Sequence, residues 1–555
     1  MARTDAFASA IMAAGTLVSR VLGFVKAILL TVAIGSISNV GDVFETANTL
    51  PNLIYVLVAG GVFNSVLVPQ IIKAAQAQDG GLSYISKLVT LTVTAIGIVT
   101  AITVACAVPI IHIMGASWTP EQQQLGVIFA LWCLPQIFFY GLYTVIGQVL
   151  NAKDAFGAYM WSPVLNNIIT IAALIGFIAI FGPQDTSTIP PAHSVENWTS
   201  AQTLVLAGSA TLGVAVQALV LFIPLFRMGL RIRPDFAWRG IGLREAAKLA
   251  GWTLASGVIS NISFMYMTQV AASVVSSRDF YAAQGIEVPG LQALNYATML
   301  YMLPHGVVGV SIATVLFNRL SASSIADDSD SVIYAFSRGL RNSGVATVFC
   351  AVALVVMAGP VATLFSGGNP KAAIAIAQLI IILAPATPLL TVNFMYTRVL
   401  FARENAKTPF NLQLFSSITM AIMSFAASLL PAPYVVFALA AIYPINSFLM
   451  LITGHVAIRR RLGDYEGLKI ISSYARSFFA SVGAALPALL ALYLLGAWNL
   501  NGFAFSSKMG AVISLIIAGS IMAICYVPMM RLVGLHEGLA LVSPITRRVK
   551  ALVRR

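Results

Sequence analysis

Charge is what this sequence has least of. Only 9% of its 555 residues are Asp, Glu, Lys or Arg, against about 25% in soluble domains. With 59% hydrophobic residues and a mean hydropathy of +0.88, a soluble globular fold is excluded and a polytopic membrane protein is indicated. Cysteine is also sparse. Cys106, Cys133, Cys350 and Cys525 all lie in apolar runs with no CxxC pair, so they read as small apolar filler, not disulfide partners or metal ligands. The five histidines are scattered, and neither HExxH nor GxxxxGK[ST] occurs, so nothing points to a zinc hydrolase or to nucleotide hydrolysis. A membrane-embedded transferase acting on polyprenyl phosphates would need acidic metal ligands. The one acidic cluster, Asp327-Asp328-Ser329-Asp330, reads as a solvated loop. An enzyme has little to stand on here.

What the chain has in abundance is apolar runs. Fourteen stretches of bilayer-spanning length follow one another, from 6–34 and 43–72 through 249–275 and 291–317 to 475–497 and 509–533. The N-terminal stretch resembles a signal peptide at first, but it continues past Arg20 to Ile34 and reads as a retained first helix. Lys and Arg test the topology, because they concentrate in cytoplasmic loops. With the N-terminus in the cytoplasm, 32 basic residues all fall at inner span ends except five. Arg278, Lys371 and Lys508 lie outside, and Arg20 and Lys26 lie within the first span. Both termini are therefore expected in the cytoplasm of a multi-pass plasma-membrane protein. The net charge of +13 faces anionic headgroups and needs no nucleic acid; the basic tail 534–555 is expected along the same surface. Asn197-Trp-Thr is a formal glycosylation sequon that reads as a chance match.

The chain also repeats. Leu150-Asn-Ala-Lys153-Asp154 recurs as Leu400-Phe-Ala-Arg403-Glu404, and Leu50-Pro51-Asn52 as Leu303-Pro304-His305, at nearly one offset. Such a repeat predicts an all-α fold of two six-helix lobes, 1–240 and 241–460, with two helices and a basic tail in 461–555. Six spans return the chain to the same side, so the lobes would be related by a pseudo-two-fold axis along the membrane normal, as in transporters.

Ionisable residues at membrane depth are expensive and mark functional cavities by default. Arg20 lies near the middle of the first span. Lys26 is eight residues from Ile34, ~12 Å along a helix, part of which a lysine stem can cover. Spaced six apart, the two point ~120° from each other on an ideal helix, unless a bend at Gly23 brings them into one pocket. Such a cavity suits an anion, and arginine holds phosphate in bidentate fashion. In the second span Asp42, Glu45, Asn48, Asn52 and Tyr55 form one polar stripe. Asn48 and Asn52 read equally as interhelical glue or ligand contacts. Asp42 and Glu45 are either solvated at the outer end, a site for a coupling ion, or a gate that counters Arg20 and Lys26. Span eight offers Gln292, Asn295, Tyr296, Thr298, Met299 and His305, whose polar members read as cavity lining or, nearly as well, as packing between helices. Pro51 and Pro304 make their spans easy to bend, and Pro163 with Asn166-Asn167 reads as structural.

These pieces resemble a known family. SRVLGF (19–24), GD (41–42), LPNL (50–53), the Val68-Pro69 pair, LNAKDAFG (150–157), SPVLNN (162–167), Tyr296-Ala and LPHGVVGV (303–310) are similar to motifs of the MurJ (MviN) lipid II flippases of the multidrug/oligosaccharidyl-lipid/polysaccharide exporter superfamily. The resemblance implies a two-lobed alternating-access transporter of lipid-linked peptidoglycan precursor, lipid II, with no cofactor. Other cell-wall synthesis proteins are implied partners, and spans 13 and 14 form a groove suited to the lipid tail. By position, Arg20 matches a family arginine, Lys26 stands where another arginine is usual, and Asp42 matches a family aspartate. This sequence departs at Ala27, where the family has an aspartate, and at Tyr55 and Met299, where it has arginines. The alternative is an exporter of drugs or of another oligosaccharide-lipid from the same superfamily. The driving force, whether protons, sodium or the membrane potential, is left open by the sequence.

Overall fold

The computed structural model describes residues 2–57, 82–153, 155–185, 191–230, 232–237, 243–309, 311–312, 329–402, 407–499 and 502–543. Gly60-Gly61, Val68-Pro69, Asp154, Arg403, Glu404, Asp327-Asp328 and the tail from 544 lie outside these. Among the described residues the regular structure is helical. Twelve helices are long and apolar enough to cross a membrane. The second and eighth expected spans are described only in part, as Asn39–Tyr55 and Leu291–Pro304. The closely spaced eleventh and twelfth spans are separate helices, Lys407–Ser428 and Ala432–Leu462, with Pro431 at the start of the second. The polytopic all-α class is thus observed.

The repeat is visible in where helices break. Ala107–Met114 follows a break at Cys106, and Ala358–Leu364 follows one at Met357. Pro120–Cys133 and Pro370–Leu383 then begin at matching positions, each with proline in its first turn and a capping side chain before it. Thr119 accepts from the Gln122 amide, and Asn369 from those of Lys371 and Ala372. Proline suits the first turn because its missing N–H has no helical partner to lose. Both spans then resume, as Gln136–Ala152 and Ala386–Ala402. Breaks 250 or 251 residues apart carry the duplication further than the two short sequence matches do.

The chain packs as two compact units, Met1–Gln292 and Ala293–Arg555. The first has a core around Phe129, Phe177, Leu50 and Ile34. Its seventh span packs onto the ends of the third and fourth: the Trp118 indole donates to the Ala272 carbonyl (2.8 Å) and the Gln269 amide to that of Ile113 (2.7 Å). In the second unit, spans 13 and 14 (Gly467–Leu494 and Lys508–Leu532) pack on each other and on the ninth span, Ser329–Val356. There the Tyr526 hydroxyl donates to the Val345 carbonyl at 2.8 Å. Hydroxyls inside spans bond back one turn, as Thr46 to the Asp42 carbonyl and Thr347 to that of Ser343, which satisfies them where no water can.

Candidate functional site

The first span is one unbroken helix, Ala2–Ile34, running through Gly23 without interruption. Leu17, Val18, Val21 and Val25 form its exposed stripe. Helical geometry puts Arg20 and Lys26 on opposite flanks of that stripe, turned away from it, and both are half-buried. Ser19, the residue before Arg20, is tied to the fifth span: the Asn167 amide donates to its carbonyl at 2.8 Å. Asn166 reaches the other way, to the Gln217 side chain at 3.0 Å. Among the described residues no carboxylate lies within salt-bridge distance of Arg20 or Lys26, although Lys26 and Glu45 are close enough for their charges to attract.

Asp42 has a different partner. It is fully buried, and its carboxylate pairs with Arg278, itself 5% exposed. The same carboxylate accepts the backbone N–H of Gln292 at 2.7 Å. Arg278 is held from three sides: it also donates to the Asn39 side chain (3.0 Å) and to the Val288 carbonyl (3.1 Å). The Asn39 amide in turn donates to Asp279. Neither a solvated Asp42 nor an Asp42 facing Arg20 and Lys26 is what the structure contains. A guanidinium with five fixed donors satisfies a buried carboxylate better than a more distant lysine could. Two glycines make room for the clamp. A Cβ at Gly290 would strike the Asp42 carboxylate and Arg278, and one at Gly41 would strike the Gln292 side chain. Segment 278–292, the link from the seventh span to the eighth, is thereby fastened to the start of the second.

Farther along the second span, Asn52 is exposed and Tyr55 half-buried. The Tyr55 hydroxyl donates to Thr144 at 2.7 Å, and its ring tilts against Tyr140. Asn48 accepts from Gln136 at 3.3 Å. Pro51 sits inside the helix, which widens to a π turn at 56–57. The eighth span repeats this device: Pro304 ends the α-helix and His305–Gly309 is a π turn. Such turns are rare and frequent at functional sites. In the second unit, Asn295 and Met299 are half-buried, while Tyr296 packs on Phe365. His305 is buried, with its Nδ1 3.0 Å from the Thr391 hydroxyl.

Arg278 and Asn39 went unnoticed as site residues in the sequence, and Gln292, expected as cavity lining, is instead buried with its backbone N–H on Asp42. A signal for the first was present, since Arg278 is one of only three basic residues placed at outer span ends. Its partner was hidden by a separation of 236 residues. Among the described residues, no group of three or more His, Cys, Asp or Glu gathers to hold a metal.

Paired proline-to-π breaks, duplicated helix breaks and cations inside an apolar first helix define a polytopic membrane transporter. Solved structures place its architecture. The fold matches one titled "Lipid II flippase MurJ, inward closed conformation" with a TM-score of 0.67 at 19% identity, over 94% of this chain and 98% of that one. It also matches an inward-facing multidrug resistance MATE family transporter of the MOP superfamily with a TM-score of 0.61 at 14% identity, over 80% and 95%. The sequence profile described as "Lipid II flippase MurJ" matches residues 32–513, and the chain belongs to that family. A probable lipid II flippase MurJ of Haemophilus influenzae is 27% identical over 449 residues, covering 77% of this chain and 81% of the relative.

Proposed function

We propose that the chain moves lipid II from the cytoplasmic to the outer leaflet of the bacterial plasma membrane by alternating access, without chemistry of its own. Family membership over 32–513 and relatives named as lipid II flippases support the substrate. The observation that carries the site is the pair Arg20 and Lys26, half-buried in an apolar helix. Two cations kept at that depth are costly unless an anion uses them, and a pyrophosphate linker supplies one. Asn52, Tyr55, Asn295 and Met299 would contact the head group, and Glu45 would hold Lys26 when no ligand is bound. The buried Asp42–Arg278 clamp would serve as the latch of the outer gate, with Gly23, Pro51 and Pro304 as bend points. Inner-end clustering of Lys and Arg supports cytoplasmic termini. A coupling ion, Na+ or H+, would act at Asp42 or Glu45.

Growth rescue tests the reading. The gene should restore growth to bacteria depleted of their lipid II flippase. Arg20→Ala should abolish rescue while Asn197→Ala leaves it intact. Failure of the well-expressed parent protein would shift the assignment to an exporter of another oligosaccharide-lipid or of drugs.

A further inference from the structure

A cavity of about 640 Å³ opens where the eleventh span begins and the twelfth ends. It is lined by Thr408, Asn411, Ala457, Arg460 and Arg461. That volume lies within the roughly 300–1,000 Å³ typical of small-molecule sites. Thr408 and Asn411 lie near the beginning of Lys407–Ser428 and present a hydroxyl and an amide to the cavity. Arg460 and Arg461 occupy the last turn of Ala432–Leu462. Both arginines are exposed, and among the described residues neither pairs with a carboxylate.

The surface leading away from this cavity is apolar on both helices. From Thr408 and Asn411 the same helical face continues through the exposed Phe415, Ile418, Ile422 and Phe425. From Arg460 the neighbouring helix carries Val456, Ile452, Phe448 and Ile445, also exposed, at steps of three and four. The two helices are fastened to each other, for example by the Asn446 amide donating to Ser416 at 2.8 Å. A cationic, hydroxyl-bearing head pocket that continues into paired apolar faces has the profile of an amphiphile.

We propose that this site holds the phosphate of an anionic membrane lipid, with its acyl chains along the exposed faces of the eleventh and twelfth spans. Two guanidiniums more than neutralise the single negative charge of a phosphodiester, and each can bind it through two N–H groups. A soluble phosphate would use the pocket but leave the apolar faces uncovered, and a zwitterionic headgroup would set its own ammonium against the arginines. The site is distinct from Arg20 and Lys26 and does not depend on what is transported.

The test uses the full-length chain purified in detergent and titrated with phosphatidylglycerol or phosphatidylcholine, with bound lipid counted by native mass spectrometry. Phosphatidylglycerol should bind at one tight site that phosphatidylcholine does not fill. An Arg460→Gln/Arg461→Gln variant should bind it about 30-fold more weakly, at about fivefold per arginine near a membrane surface. Arg531→Gln, which removes an exposed basic residue from the last turn of span 14, should bind like the parent. Thermal melting of each variant in phosphatidylcholine checks that the fold is kept. Equal phosphatidylglycerol binding by the double variant overturns the proposal. So does inorganic phosphate that binds the parent protein and displaces the lipid at equal concentration, since the apolar faces would then contribute nothing.

Discussion

Asp42 shows what one residue can be asked to hold. A buried carboxylate whose guanidinium partner is removed keeps its desolvation cost and loses the compensation, at about 3–5 kcal/mol. Arg278→Met should therefore lower the stability of the purified protein by about that amount. Asp42→Asn combined with Arg278→Met should cost less than Arg278→Met alone, because no charge is left unpaired; detergent melting curves would show the difference. Gly290→Ala should also destabilise, by about 1–3 kcal/mol, as an overpacked site does, because its methyl would meet the carboxylate directly. A second residue is sensitive to pH. Glu466, on the short link between spans 12 and 13, has its carboxyl held below the usual 4.5 by hydrogen bonds from Lys469 and Ser337. A depressed folded value contributes stability that is present above pH 4.5 and lost as pH falls through the folded value. Melting temperature should fall between pH 5 and more acidic conditions, and Glu466→Gln should remove that component. Equal acid sensitivity in the variant would assign the effect elsewhere.

Elements were legible in the sequence to different degrees. Spans could be counted because apolar length is a local property, and the eleventh and twelfth separate at Pro431 as their composition indicates. The bend points at Pro51 and Pro304 were readable, since proline removes a helical N–H. That each precedes a π turn was not, because hydrogen-bond register is set by packing around the helix. Tyr55 illustrates the same limit. Its position in the polar stripe was plain, yet its hydroxyl's engagement with Thr144 depends on how the fourth span lies against the second. Likewise Asp42 was visible as a charge, while its partner lay beyond any local pattern. Pro304→Ala restores an N–H facing the Leu300 carbonyl and should let α geometry run into His305–Gly309. Amide exchange in that turn should slow and growth rescue should weaken, without loss of melting temperature. Unchanged exchange would show that the turn is held by its surroundings, such as His305 and Thr391.

At the scale of the whole molecule, the sequence repeat and the packing divide the chain differently. The repeat predicts a second lobe beginning at 241, whereas the compact units meet at Gln292 and Ala293. Duplication records how the gene grew. Contacts record which helices bury one another, and the seventh span buries itself against the first unit through Trp118, Gln269 and Arg278. Scarcity of charge, with which the sequence announces itself, gives the few ionic contacts their weight. Arg341 joins Glu537 at 2.9 Å and lies 3.8 Å from Glu466, so one guanidinium links the ninth span to both the start of span 13 and the segment after span 14.

The Asp42 clamp also sets an order for biosynthesis. Its two charged partners are 236 residues apart, and at about 5–20 residues per second the ribosome needs roughly 10–50 s to travel from one to the other. Until Arg278 emerges, a newly inserted first repeat carries an aspartate with no guanidinium to receive it. The duplicated half therefore reaches its mature state only when its sibling has begun to enter the membrane. A nascent chain arrested near residue 240 should be far more open to protease than one arrested past 300.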